Sequence, residues 1–258
     1  MKSIDINCDC GESFGNWTLG RDAEIVPKVT AANVACGFHA GDPVTMQRTI
    51  DYAKAGGTKV GAHPGLPDLL GFGRRRMAIT ADEAHAYVLY QAGALAGLLK
   101  ANGMTLHHVK PHGVFYLMLN EEKELAEAVA RAIVAICPTP RLYWPAPVEG
   151  LALPDAAKRA GIDVIPEVYF DLEYDDRGQL ILQRKKMPVD LDRARARIRS
   201  YLRTGRISTA SGNEIVITAR SICIHGDGPN AVELLTAVRD VIAEEGWTLA
   251  PASERSKR

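Results

Sequence analysis

Neither sign of charge prevails in this chain: 31 Lys and Arg stand against 31 Asp and Glu in 258 residues, with a pI near 7.0. Nucleic-acid binders usually carry a basic surplus that displaces counterions from phosphate, and peripheral membrane proteins a basic amphipathic stretch. The balance argues against both partners and leaves a small molecule or another protein. Long apolar runs are also missing. The most apolar helical stretch, residues 87–99, is broken by Gln91 and two glycines, and it falls short of the roughly 20 residues that span a bilayer. The opening MKSIDINCDCGE puts acids where a secretory signal needs an apolar core, so a cytoplasmic protein is expected. Cysteine is scarce, five in all, odd in number and set among small or apolar residues, which suits buried thiols in a reducing compartment. No GxxxxGK[ST] loop occurs, and the first turn, CDCGESFG, is acidic rather than GxGxxG. Any nucleotide is therefore held in another way, or by another chain.

What the chain does have is alternation. Short β-branched or apolar runs recur at residues 3–8, 31–36, 58–63, 106–111, 141–146, 163–170 and 221–226. Helical patterns lie between them at 42–55, 81–102, 121–136, 148–160, 191–203 and 230–245. Thr80 and Asp190 read as N-caps, and Gly56, Gly103, Gly161, Gly205 and Gly246 as stops. Repeated βα units predict an α/β fold around a parallel sheet. Seven units without a break favour a closed or nearly closed (β/α) barrel over a doubly wound open sheet. No linker divides the chain, so residues 1–250 are expected to form one domain, followed by a frayed polar tail at 251–258. Residues 172–184 and 207–218, each with a turn signal between alternating runs, read as inserted hairpins.

Histidines and acids gather where the predicted strands end. The candidates are Asp9, Glu12, Asn33, His39, Asp42, His63, Asp68, Lys110, His112, Glu167, Asp171, His225 and Asp227. Strand ends of a parallel barrel face one way, so these residues should meet in one cleft. Charged groups are costly to collect at an interior rim without use. Asp9, Glu12, His39, His63, Lys110, His112, Glu167 and Asp171 are the expected catalytic set; Asn33, Asp42, Arg74, His225 and Asp227 are expected to bind substrate. Two chemistries fit them. Asp9, His39 and His63 could hold a divalent metal, or the same groups could act without one, carboxylates serving as bases while Lys and His polarise a carbonyl. Lys110, in an apolar strand before Pro111, is either a buried ion-pair partner or a cation aimed at substrate. The turn GFGRRR, with Arg74 in it, is either a solvated loop or an anion clamp.

Six motifs, DINCDCGESFG, ANVACGFHAGDP, GAHPGLPDLLGFGRR, VKPHGVFY, PEVYFD and ICIHGDGP, occur in an order and at separations that closely resemble the LamB/YcsF family, from Ile4 to about Trp247. The resemblance implies a seven-stranded barrel of the glycoside hydrolase/deacetylase type. It also implies ATP-dependent opening of 5-oxo-L-proline to L-glutamate, with ADP and phosphate released, together with subunits B and C. ATP, with Mg2+, would then be held here or through those partners; a bound divalent metal and a homo-oligomer are left open. The chain departs from the family pattern at two places: Phe170, Asp171 and Leu172 stand where ADR is usual, and Leu117 where Asn is usual. Both bear on substrate more than on reaction type. In such chemistry, phosphorylating the amide oxygen gives an imidate-like phosphate that water can attack. Asp9 or Glu167 would activate the water, His39, His63 or His112 would move the proton, and Lys110 would neutralise charge on oxygen. The other readings are a stand-alone metal-dependent amidohydrolase or deacetylase, and a non-catalytic subunit that presents substrate.

Overall fold

Residues 3–10 alternate as a strand covered on both sides must. Ile4, Ile6, Cys8 and Cys10 occupy one face and Asp5, Asn7 and Asp9 the other, with seven of the eight residues buried. The computed structural model describes residues 2–181 and 187–252. In chain order its elements are β1 (Ser3–Cys10), α1 (Asp22–Ile25), β2 (Ala31–Ala35), α2 (Pro43–Gly56), β3 (Lys59–His63), α3 (Ala81–Ala101), α4 (Gly113–Glu121), α5 (Lys123–Ile136), β4 (Arg141–Pro145) and α6 (Ala152–Arg159). There follow β5 (Asp163–Tyr169), β6 (Glu173–Tyr174), β7 (Leu180–Ile181), α7 (Leu191–Thr204), β8 (Arg206–Ser208), β9 (Glu214–Val216), β10 (Ser221–His225), α8 (Ala231–Glu244) and β11 (Thr248–Leu249).

Six strands make a curled parallel sheet in the order β3, β2, β1, β10, β5, β4, and the short β11 pairs with the start of β1. The seventh expected strand, residues 106–111, forms no ladder of its own. It makes single parallel bridges instead, Val109 with Ala62 of β3 and with Leu142 of β4. His107 N–H donates to Val60 O at 2.8 Å and Lys110 N–H to Ala62 O at 2.9 Å, while Val109 N–H donates to Arg141 O at 3.0 Å. Pro111, which has no N–H, ends the run. The segment therefore bonds to both outer strands, and the sheet curls around it.

Helices cover the outside, α3 against α5, α5 against α6 and α7 against α8. α5 shows why they stay: Leu125, Ala126, Val129, Ala130, Ala132 and Ile133 repeat at helical spacing and are buried. Each fully buried Leu, Ile or Val contributes about 1.5–3 kcal/mol. The caps behave as their residue types require. Thr80 and Glu83 form a reciprocal capping box at the start of α3, and Asp190 accepts from Asp192 N and Arg193 N at the start of α7. α2 runs one residue past its expected end, through Gly56, and is capped by Gly57 in the left-handed region at φ 69°. α4 lies outside the expected helices: its apolar run VFYLML follows KPHG directly and carries no capping side chain.

Both inserted hairpins are present. β6 pairs antiparallel with β7, and β8 with β9; residues 182–184 of the first lie outside the described residues. The expected tail is held at its beginning. Ala252 is buried with Ala31, Tyr143 and Ile165, and its carbonyl accepts from Arg220 Nη2 at 2.8 Å; residues 253–258 lie outside the described residues. Among the described residues no helix is long and apolar enough to cross a membrane.

Candidate active site

Because the six strands run parallel, their carboxyl ends meet on one side of the sheet. Register sets Asp9 of β1 between His225 of β10 and Asn33 of β2, and Ala35 of β2 beside His63 of β3. A cavity of about 320 Å³ opens above them, lined by Asp9, Glu12, His63, Arg74, Lys110, His112, His225 and Asp227. Its apolar wall is Phe72, Tyr116, Leu117, Tyr169, Leu172 and Leu180. Both positions that depart from the family pattern as leucine thus face the cavity.

The floor is a closed polar network. Lys110 Nζ lies 2.9 Å from Asp9 Oδ1, 3.1 Å from Glu167 Oε2, 3.3 Å from Asn7 Oδ1 and 3.0 Å from Cys223 Sγ. Asn7 Nδ2 donates to Glu167 Oε2 at 2.7 Å, and Tyr169 Oη donates to Glu167 Oε1 at 2.8 Å. Asn33 Nδ2 bridges Asn7 Oδ1 and Asp9 Oδ1, each at 2.7 Å, and its own Oδ1 is bonded by His108 Nε2 at 2.6 Å. Gly61 makes room for that ring, since a Cβ there would stand 2.2 Å from His108 Nε2. Burial pushes the Asp9 carboxyl up, but His63 and Lys110 outweigh it and hold the group well below the usual carboxylate range. Burial likewise works against the Lys110 charge, and Asp9, Cys223 and Glu167 reverse that, raising the ammonium well above its ordinary value. An ammonium so surrounded holds the carboxylates in place. The ion-pair reading of Lys110 is the one its contacts support, and Glu167 lies beneath the cavity surface rather than on it.

Four histidines stand above the floor. His63 Nε2 is 3.4 Å from Asp9 Oδ2 and 2.9 Å from His112 Nδ1. His39 stacks on His112 with ring centroids 3.7 Å apart, and its Nε2 is 3.9 Å from Glu12 Oε1. His39 is fully buried and neither of its ring nitrogens makes a hydrogen bond. The loop of residues 64–75 closes against these rings: a Cβ on Gly73 would come within 2.8 Å of His39 Cβ and 2.9 Å of His112 Cδ2. On the opposite side His225 Nδ1 lies 2.6 Å from Asp171 Oδ2, which also accepts from His225 N–H at 3.1 Å, while His225 Nε2 is 3.7 Å from Asp9 Oδ2. Asp171 therefore locks one imidazole tautomer and leaves Nε2 facing the cavity.

Two groups of side chains are close enough to hold a metal ion among the described residues: Glu12 with His39, His63 and His112, and Asp9 with Cys223 and His225. The expected trio is split between them, His39 and His63 in the first and Asp9 in the second. Asp42 lies outside the cavity lining. It caps α2, accepting from Val44 N and Thr45 N, and also holds Gly15 N at 2.9 Å. Of the three arginines in GFGRRR only Arg74 lines the cavity, its guanidinium 5.0 Å over the Phe72 ring. Arg75 pairs with Asp68, and Arg76 with Glu121 and Glu122. Sequence reasoning missed Asn7, Cys223, Tyr169 and His108. Asn7 was within reach, because residues two apart on a strand share a face and Asn7 sits two before Asp9.

The LamB/YcsF family profile matches residues 4–257. The 5-oxoprolinase A subunit of Bacillus licheniformis is 45% identical over 241 residues, 93% of this chain and 94% of that protein. A lactam utilization protein from Thermus thermophilus, 40% identical, superimposes with a TM-score of 0.87 over 96% of this chain and 98% of that one. A GH113 β-1,4-mannanase, 13% identical with a TM-score of 0.54 over 95% of this chain and 99% of that one, shares the fold alone. With the profile and the strand-end residues in agreement, the chain belongs to the LamB/YcsF family.

Proposed function

We propose that this chain is the A subunit of an ATP-dependent 5-oxoprolinase, and that its strand-end cavity is where the lactam ring is opened. The observation that carries the reading is one cavity in which an anchored His225, an anionic Asp9 and an exposed Arg74 converge. The names of the similar proteins, lactam utilization protein and 5-oxoprolinase A subunit, point the same way. A five-membered lactam is an unactivated amide with a poor nitrogen leaving group. Transfer of a phosphoryl group from ATP to its oxygen, with ADP leaving, makes the carbon electrophilic enough for water. Water adds there, the C–N bond breaks and the nitrogen takes a proton, leaving an acyl phosphate that a second water hydrolyses to glutamate and phosphate.

The residues divide this work by their surroundings. Arg74 at the mouth receives the substrate carboxylate. His225 Nε2 takes the proton from water and returns it to the departing nitrogen, because Asp171 already holds Nδ1. Asp9 is too weak a base for that step, its carboxyl lying well below the usual range; it stabilises the imidazolium 3.7 Å away instead. The nucleotide, with its Mg2+, is supplied through partner subunits B and C. The chain has no GxxxxGK[ST] loop to hold a triphosphate. Calorimetry of 5-oxo-L-proline with the isolated chain tests the reading. Saturable binding is expected, weakened roughly tenfold or more in Arg74→Ala as a charge-assisted pair is lost. Binding that is absent, or that Arg74→Ala leaves untouched, contradicts this assignment.

A further inference from the structure

The proton positions on the cavity histidines follow from their neighbours. His63 Nδ1 lies 2.6 Å from the carbonyl oxygen of Lys110, and His112 Nε2 lies 2.9 Å from that of Phe72. A carbonyl oxygen only accepts, so each of these nitrogens carries a proton. A neutral imidazole has one N–H, which leaves His63 Nε2 and His112 Nδ1 as bare lone pairs. Yet these two atoms face each other at 2.9 Å. Lone pairs at that distance repel unless something positive joins them, either a third proton or a metal cation.

Asp9 Oδ2, 3.4 Å from His63 Nε2, is a partner for the proton, but the rest of the surroundings favour the cation. Both rings donate their outer N–H to a backbone carbonyl, the arrangement that fixes the tautomer of a metal-binding imidazole and raises its basicity. The ligand atoms of Glu12, His39, His63 and His112 all lie within 4.8 Å of one another, and all four residues are buried. His39 adds the second sign: it is fully buried, with both ring nitrogens lacking a hydrogen bond, a costly arrangement that a ligand would relieve.

We propose that Glu12, His39, His63 and His112 form a divalent-cation site in the cavity wall, with His63 Nε2 and His112 Nδ1 as adjacent ligands. Metal–imidazole bonds of about 2.0–2.1 Å span a nitrogen pair 2.9 Å apart. Three imidazoles and one carboxylate suit a borderline ion such as Zn2+ or Co2+ better than Mg2+ or Ca2+, which prefer oxygen shells. Glu12, His63 and His112 line the cavity, so the ion meets whatever occupies it and polarises a carbonyl oxygen there. This site follows from the hydrogen bonds and does not rest on the lactam reading.

The test is binding, not turnover. The full chain, stripped of metal, is titrated with Zn2+ by calorimetry and then loaded with Co2+ for absorption and proton NMR. The expected result is one equivalent bound, visible d–d bands, and paramagnetically shifted exchangeable signals from the N–H protons of His63 Nδ1 and His112 Nε2. His63→Ala and His112→Ala each weaken Zn2+ by more than about 100-fold, since even a lost supporting hydrogen bond weakens metal affinity 10- to 100-fold. If circular dichroism shows either variant unfolded, the wild-type Co2+ spectra decide alone. No saturable Zn2+ or Co2+ binding, or Co2+ binding without the two shifted imidazole protons, overturns the proposal.

Discussion

Lys110 and Asp5 occupy opposite ends of one polar column inside the curled sheet, and their neighbours give them different work. At the carboxyl end the Lys110 ammonium holds Asp9 and Glu167 in place, so the cavity floor keeps a fixed charge. Lower down, Asp5 has no cation among its bonding partners. Ser221, Thr30 and Tyr143 donate hydroxyl hydrogen bonds to it, but burial outweighs them and raises its carboxyl from 3.8 to about 6. The sign follows. Between those two values the folded chain keeps a proton that the unfolded chain has released, so the stability this group contributes is present below 3.8 and lost as pH rises through about 6. Asp5→Asn removes the titration. The melting temperature of wild type minus that of Asp5→Asn should therefore fall as pH is raised from 4 to 7; a constant or rising difference contradicts the burial argument.

Helix ends are the most legible elements, because a cap is written in a few adjacent residues. Thr80 accepts from Glu83 N at 3.2 Å, and Glu83 reaches back to Thr80 N at 2.7 Å. Thr80→Ala should cost about 1 kcal/mol in urea denaturation, leaving the cavity untouched because α3 begins outside its lining; no loss of stability would contradict the capping role. The same signature accounts for Asp42, expected to bind substrate: Asp before Pro43 at a helix start is a cap, and it lies outside the cavity lining. The four-residue helix α1 and the apolar α4 are hidden in the sequence for want of a side-chain cap. Residues 106–111, expected as a seventh strand, make only single bridges, because local sequence does not say how many ladder bonds a neighbour will supply. For the site, strand-end position finds Asp9, Glu12, His63, Lys110, His112, His225 and Asp227 in the cavity lining, but also Asn33, His39, Asp42, Glu167 and Asp171, which lie outside it. It cannot tell Lys110 the ion-pair partner from Lys110 the substrate cation, because that depends on Glu167 and Cys223, far away in the chain.

Over the whole molecule the cavity is built from many loops, and no local segment contains it. β1, β3, β10 and the segment after residue 106 each bring one or two polar groups, while the hairpin of β6 and β7 brings Leu180 to the apolar wall. On the proposed reading, a chain without a phosphate loop has its ATP delivered from outside. On the same reading another protein surface closes the cavity, which would keep bulk water from an activated intermediate. The most direct measurement is glutamate release from 5-oxo-L-proline and ATP, read beside ADP, for this chain alone, for the chain with subunits B and C, and for the same assembly carrying His225→Ala. The account predicts glutamate and ADP in equal amounts from the full assembly, little from the chain alone, and kcat lowered on the order of 100-fold or more by His225→Ala, the scale of lost general acid–base catalysis. Robust glutamate release without partners, or an assembly indifferent to His225→Ala, would contradict it.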